Sequence, residues 1–165
     1  MNVPLTFQVM IRSECKRRAN FDPLLIAAIV QTESNYDPYA LRFEINSPYS
    51  VDAENMAKKM GCSVQTEAQA QKFSYGLGQI MLSTARGFGF KEPAGRLFDP
   101  VTNIFWLCEV WLKMCMKYAD RNDQIAAYNA GSPRKKADGT YINQEYVSKV
   151  LKAIASPQKS SPAMC

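Results

Sequence analysis

Glu33 is the residue of this 165-residue chain with the clearest chemical potential. It lies in LLIAAIVQTES, Leu24 to Ser34, where seven apolar residues run straight into Gln31, Thr32, Glu33 and Ser34. A carboxyl at the C-terminal end of a buried helix has its pKa pushed up twice. Desolvation disfavours the charged form, and so does the partial negative charge of the helix end. A carboxyl kept protonated near neutral pH can donate its proton to a leaving oxygen. The alternative is that Glu33 is simply the first solvated residue past the core. Histidine is absent, which removes Ser-His-Asp and Cys-His catalysis and argues against a catalytic zinc. No metal and no cofactor is expected.

The elements that must position Glu33 read as helices. Leu5 to Arg18 is a first helix, with Phe7, Met10 and Ile11 on one face and basic residues at its C-terminal end. Asp22-Pro23, a cap followed by proline at the first helical position, starts a second helix that runs to about Ser34. Being apolar all round, it should be a buried central helix. Short helices are expected from about Asp52 to Met60, stopping at Gly61, from Thr66 to Lys72, and around Ser83 to Gly87. The glycines of SYGLGQI mark a loop. Asp99-Pro100 opens the clearest helix, with Ile104, Leu107, Cys108, Trp111, Leu112 and Cys115 at helical spacing. Asn122 to Asn129, ending at Gly131, and Gln144 to Ala155 complete the set. No segment beyond short runs reads as a strand. The expected class is all-α, helices around a central buried helix, with room for a minor β or loop segment. Residues 1–155 are expected to form one domain, and 156–165, rich in Ser and Pro, a disordered tail.

Composition sets wider bounds. Hydrophobic residues make up 47% and charged residues 21%, as in an ordinary soluble globular protein. The net charge of +5 favours an anionic partner such as a cell-wall polymer, with plain solubilising charge as the alternative. Lys16, Arg17, Arg18, Arg134, Lys135 and Lys136 are the residues that would attract it. No nucleic-acid-reading motif is present, and no run is long enough to span a bilayer. The start of the chain lacks the features of a secretory leader, so synthesis in the cytoplasm is expected. Cys15, Cys62, Cys108, Cys115 and Cys165 read as free thiols, mostly in the core. Cys108 and Cys115 would lie about 10 Å apart along one helix, too far to bridge.

Five blocks then carry a resemblance. ESNYDPYA (Glu33 to Ala40), SYGLGQIMLSTA (Ser74 to Ala85), LFDPVTNI (Leu97 to Ile104), AAYNAGSP (Ala126 to Pro133) and NQEYVSKVL (Asn143 to Leu151) occur in this order. Together they resemble the lytic transglycosylases with the soluble-transglycosylase, goose-type lysozyme-like catalytic domain. The resemblance implies cleavage of the β-1,4 bond between N-acetylmuramic acid and N-acetylglucosamine in peptidoglycan. One glutamate, here Glu33, acts first as acid and then as base on the muramyl C6 hydroxyl, leaving a 1,6-anhydro end.

The same resemblance implies the remaining roles. Ser34 would orient Glu33 or bond to sugar. Gly76 and Gly78 would let the glycan approach the backbone, and Gln79 would hydrogen-bond it. Met81 would line the pocket, Tyr128 and Asn129 would bind substrate, and Tyr146 would close the site. Glu44 is the candidate accessory carboxylate, its alternative being a loop glutamate beside Arg42. Gly78 and Leu82 depart from the family pattern, which has methionine and proline there, and Leu82 should loosen the helix start. The long segment between the last two blocks is similar to phage-encoded members. A phage lysin or virion-associated enzyme is therefore expected, a monomer as an isolated domain, acting on the periplasmic wall, with virion proteins as further partners. The alternatives are a hydrolytic lysozyme and a non-catalytic wall-binding or virion structural protein.

Overall fold

Leu5–Arg17 (α1) and Pro23–Ser34 (α2) open the fold. The computed structural model describes residues 2–18, 21–45 and 50–156. The expected C-terminal tail lies, from residue 157 on, outside the described residues, as does Cys165. After α2 come β1 (Leu41–Phe43), α3 (Ala53–Met60), α4 (Val64–Ala70), β2 (Phe73–Tyr75), β3 (Ile80–Met81) and α5 (Leu82–Gly87). A 3-10 turn, Ala94–Phe98, precedes α6 (Pro100–Lys117), α7 (Arg121–Ala130) and α8 (Gln144–Ala155). The class is all-α with a small antiparallel sheet.

The chain falls into two compact units, one drawn from Met1–Thr32 and Val110–Cys165, the other Glu33–Glu109. In the first, Ile11, Cys15, Leu25 to Val30, Trp111, Ile125 to Ala127, Val147 and Val150 are buried. At 12 residues, α2 is too short to be stable alone in water. Burial of Leu25, Ile26, Ile29 and Val30 stabilises it by roughly 6–12 kcal/mol at about 1.5–3 kcal/mol each, an upper estimate. Asp22 caps it, its Oδ1 accepting from the Leu24 N–H at 3.0 Å.

In the second unit α3 packs on α4, and Leu77, Leu82, Ala85, Phe90, Leu97, Ile104, Leu107 and Cys108 are buried. The sheet, in order β1-β2-β3, pairs Leu41 with Tyr75, Phe43 with Phe73, and Ser74 with both Arg42 and Met81. These strands of two or three residues are too short to show alternation, and they form the minor β segment for which the expected class left room. The helix α4 runs Val64–Ala70 instead of Thr66 to Lys72, because Ser63 caps it: the Thr66 N–H donates to Ser63 Oγ at 3.0 Å. Asp120 likewise caps α7 through the N–H groups of Asn122 and Asp123, moving its start to Arg121. Leu82, where a looser helix start was expected, is fully buried as the first residue of α5.

Among the described residues the cysteines are free, with Cys15 and Cys108 buried, Cys115 half-buried and Cys62 exposed. No described helix is long and apolar enough to cross a membrane.

Candidate active site

Glu33 is the penultimate residue of α2 and is half-buried. The helix stops abruptly after it. Asn35 and Tyr36 both take left-handed backbone conformations, φ 51° and 65°; asparagine visits this region readily, whereas Tyr36 bears a cost of about 1–2 kcal/mol. Tyr36 is buried, 8% exposed, and burial pushes its hydroxyl up to about 12. The buried ring locks the sharp exit that leaves Glu33 at a helix end. Ser34 Oγ donates to the Leu77 carbonyl at 2.8 Å, which ties that end to the turn between β2 and β3.

The turn itself is held from three directions. The Gly76 N–H donates to Ala40 O at 2.8 Å, and the Gln79 N–H to Gly76 O at 3.1 Å. Gln79, at φ 47°, also sends its Nε2 to Ala40 O at 3.1 Å and Gly76 O at 3.0 Å. Two carbonyls fix the amide nitrogen, so Oε1 is presented as an acceptor and takes no hydrogen bond from the described residues. Glycine is required at 76: its φ is +65°, and a Cβ would stand 2.6 Å from Asn103 Nδ2 and from Leu97 O. A Cβ on Gly78 would meet Leu107 Cδ1 at 2.7 Å. Both glycines are thus demanded by packing against α6 and the 3-10 turn, a cause distinct from the glycan approach expected for them.

The sheet gathers a second group. Glu44 Oε1 accepts from Arg42 Nε at 2.6 Å and from Ser74 Oγ at 3.0 Å. Met81, half-buried, pairs across the ladder with Ser74. The Arg42 neighbour foreseen as the alternative for Glu44 is therefore present.

The other unit holds the remaining candidates. Tyr128, half-buried on α7, sets its ring 6.4 Å from that of Trp111. Asn129 is exposed, and its Oδ1 accepts from Asn143 Nδ2 at 3.0 Å. The same Nδ2 donates to Ala126 O at 3.0 Å, so Asn143 fixes the end of α7 and turns the Asn129 Nδ2 away from itself. Tyr146 is half-buried on α8. Ser34, Gly76 and Gln79 are thus brought into one bonded assembly, Glu44, just past β1, and Met81 on β3 both meet Ser74, and Tyr128, Asn129 and Tyr146 belong to the other unit.

The family model described as Transglycosylase SLT domain matches residues 10–150. The chain belongs to the transglycosylase SLT domain family. Searches of curated proteins and of solved structures returned no significant match. The fold is accordingly the lysozyme-like one of this family, and the substrate class is peptidoglycan.

Within the SLT domain, sequence reasoning missed Asn103. It is fully buried on α6, bonded to Tyr75 O and the Gly78 N–H at the β2–β3 turn and to Leu97 O in the 3-10 turn. Its signal was a polar residue beside Ile104 on the apolar face of a helix, inside a quoted block. The buried pair Arg86–Glu67 was missed too. Part of the basic surface is neutralised at home. Arg17 and Arg18 pair with the buried Glu14 at 3.3 and 2.6 Å. Lys135 lies 3.2 Å from Asp123 Oδ1, in a loop closed by the Lys135–Tyr141 bridge. The Tyr141 hydroxyl, at 2.5 Å, and then Lys135 hold the Asp123 carboxyl below its ordinary value.

Proposed function

We propose that this SLT domain is a lytic transglycosylase that cleaves the N-acetylmuramic acid to N-acetylglucosamine β-1,4 bond without water, using Glu33 as both acid and base. Glu33 gives its proton to the glycosidic oxygen as the C1–O bond breaks. Its carboxylate then takes the proton of the muramyl C6 hydroxyl, and O6 bonds to C1 to close the 1,6-anhydro ring. Glu33 ends protonated, as it began, and no water is consumed.

The observation that carries this reading is the bonded assembly of Ser34, Leu77, Gly76 and Gln79. It fastens the helix end bearing Glu33 to a turn that presents Gln79 Oε1 as an acceptor suited to a sugar N–H or O–H. Preorganised groups of this kind are what a glycan-cleaving site needs, because positioning removes much of the barrier. Glu44, the candidate accessory carboxylate, is held through Oε1 by Arg42 and Ser74. Met81, Tyr128, Asn129 and Tyr146 are assigned to substrate binding by their places in the family blocks, with Gly76 shaping the turn.

We further place the protein as a phage lysin or virion-associated enzyme acting on the periplasmic wall, on the strength of the long segment between the AYNAG block and α8. Zymography on peptidoglycan tests the enzyme assignment: wild type clears and Glu33→Gln does not. Equal clearing by both would remove Glu33 as the catalyst, and no clearing by either would favour a binding module.

A further inference from the structure

We infer that Asn103 is a positioning residue of this site: its buried amide sets the β2–β3 turn so that Gln79 meets the glycan in one orientation. The inference rests on the role proposed for Gln79 above. Asn103 has no exposed surface. Its Nδ2 donates to Tyr75 O at 2.8 Å and Leu97 O at 2.6 Å, and its Oδ1 accepts from the Gly78 N–H at 2.7 Å. Both donors and the acceptor are used. The amide orientation is fixed, because a flip would face Oδ1 toward two carbonyl oxygens.

The turn rests directly on this amide. Gly76 brings its backbone so close that a Cβ there would fall 3.2 Å from Asn103 Cγ and nearer still to Nδ2. Asn103 therefore grips residues 75 and 78, on either side of the Leu77 carbonyl that receives Ser34 and just before Gln79. Gln79 is held left-handed at φ 47°, a conformation that persists only when its surroundings over-determine it. Ala40 supplies one constraint, through the Gly76 N–H and Gln79 Nε2. Asn103 supplies the other. An aspartate of the same shape would not serve, because its second oxygen would oppose the Tyr75 and Leu97 carbonyls.

The test is a double-mutant cycle on peptidoglycan solubilisation by the full chain, with Asn103→Asp, Gln79→Ala and both together. Asn103→Asp is expected to lower the rate on the order of 30- to 100-fold, the size seen when reacting groups are misplaced by about 1 Å. In the Gln79→Ala background the same change should cost no more than about threefold, since the group it positions is gone. Losses that multiply would overturn the inference. Should Asn103→Asp fail to fold, Asn103→Ser carries the cycle, together with NMR of the Gln79 side-chain amide. The serine variant should move those two protons toward free-amide positions, and unmoved resonances would overturn the inference. A wild-type chain that leaves peptidoglycan intact would remove only the lytic reading, and the NMR comparison would still decide whether Asn103 sets Gln79.

Discussion

Arg86→Met should be among the most damaging single changes outside the site, and the buried partners of Arg86 say why. Arg86 and Glu67 have side chains only 1% and 3% exposed. Arg86 donates Nε to Glu67 Oε1 at 2.9 Å and Nη2 to Oε2 at 3.2 Å, and Nη1 to Phe90 O and Glu92 O at 2.9 and 2.7 Å. Without it, Glu67 keeps Gln71 Nε2 at 3.0 Å but loses its only buried counter-charge among the described residues. Breaking one side of a buried pair costs about 3–5 kcal/mol. For a chain of this size each kcal/mol moves Tm by about 2–4 °C, so a fall of roughly 6–20 °C is expected. Removing both charges with Arg86→Met and Glu67→Leu should recover most of that loss, since no buried charge is then stranded. The recovery stays incomplete, because the Phe90 and Glu92 carbonyls lose their donor. Thermal unfolding followed through Trp106 in a Trp111→Phe background, with its ring 5.6 Å from that of Phe90, reads the second unit. An Arg86→Met Tm within about 2 °C of wild type would refute the reasoning, and so would a double variant less stable than the single one. The pair joins α4 to α5, the helices that flank β2, the turn and β3 in the chain, so its loss should reach the site as well.

Glycine substitutions separate backbone conformation from crowding. Gly61→Ala, at φ 68° with open space around it, should cost about 1 kcal/mol; Gly76→Ala, at similar φ but against Asn103 and Leu97, should cost at least twice that in urea unfolding. Tyr141→Phe should raise the Asp123 pKa toward its ordinary 3.8 in an NMR titration. The sign follows from linkage: the lowered Asp123 pKa stabilises the fold above about pH 4 and is lost as pH falls through the lowered value, so the variant should lose less stability in acid than wild type. The pH–rate profile should report a group well above the ordinary glutamate value of about 4.3, from the half-burial of Glu33 and its place at a helix end; an apparent pKa near that value would contradict the burial-plus-dipole argument.

Local signals were the legible ones. Asp22-Pro23 and Asp99-Pro100 announced α2 and α6 because capping is decided within three residues, and Asp99 does accept from both the Thr102 N–H and its hydroxyl. Gly61 and Gly131 ended α3 and α7 in left-handed conformations, again a one-residue decision. Glu33 could be placed at the end of a buried helix because the apolar run of α2 leaves it no other position. What stayed hidden depends on residues far apart in sequence. Asn103 meets Gly78 and Tyr75 across 25 and 28 positions, and Glu67 meets Arg86 across 19. The strands exist through pairing, not through any pattern of their own. The turn glycines looked like openings for a ligand, and the reason they cannot bear a Cβ became visible only with α6 packed behind them.

The most direct test of the central claim is the mass of the muropeptides released when purified peptidoglycan is digested in ¹⁸O-labelled water. Transglycosylation by Glu33 predicts muramyl ends one water lighter than hydrolytic ends, with no label incorporated, and none of these products from Glu33→Gln. Reducing ends that carry labelled oxygen throughout, with no anhydro product, would show that water rather than the C6 hydroxyl attacks, and would contradict the account.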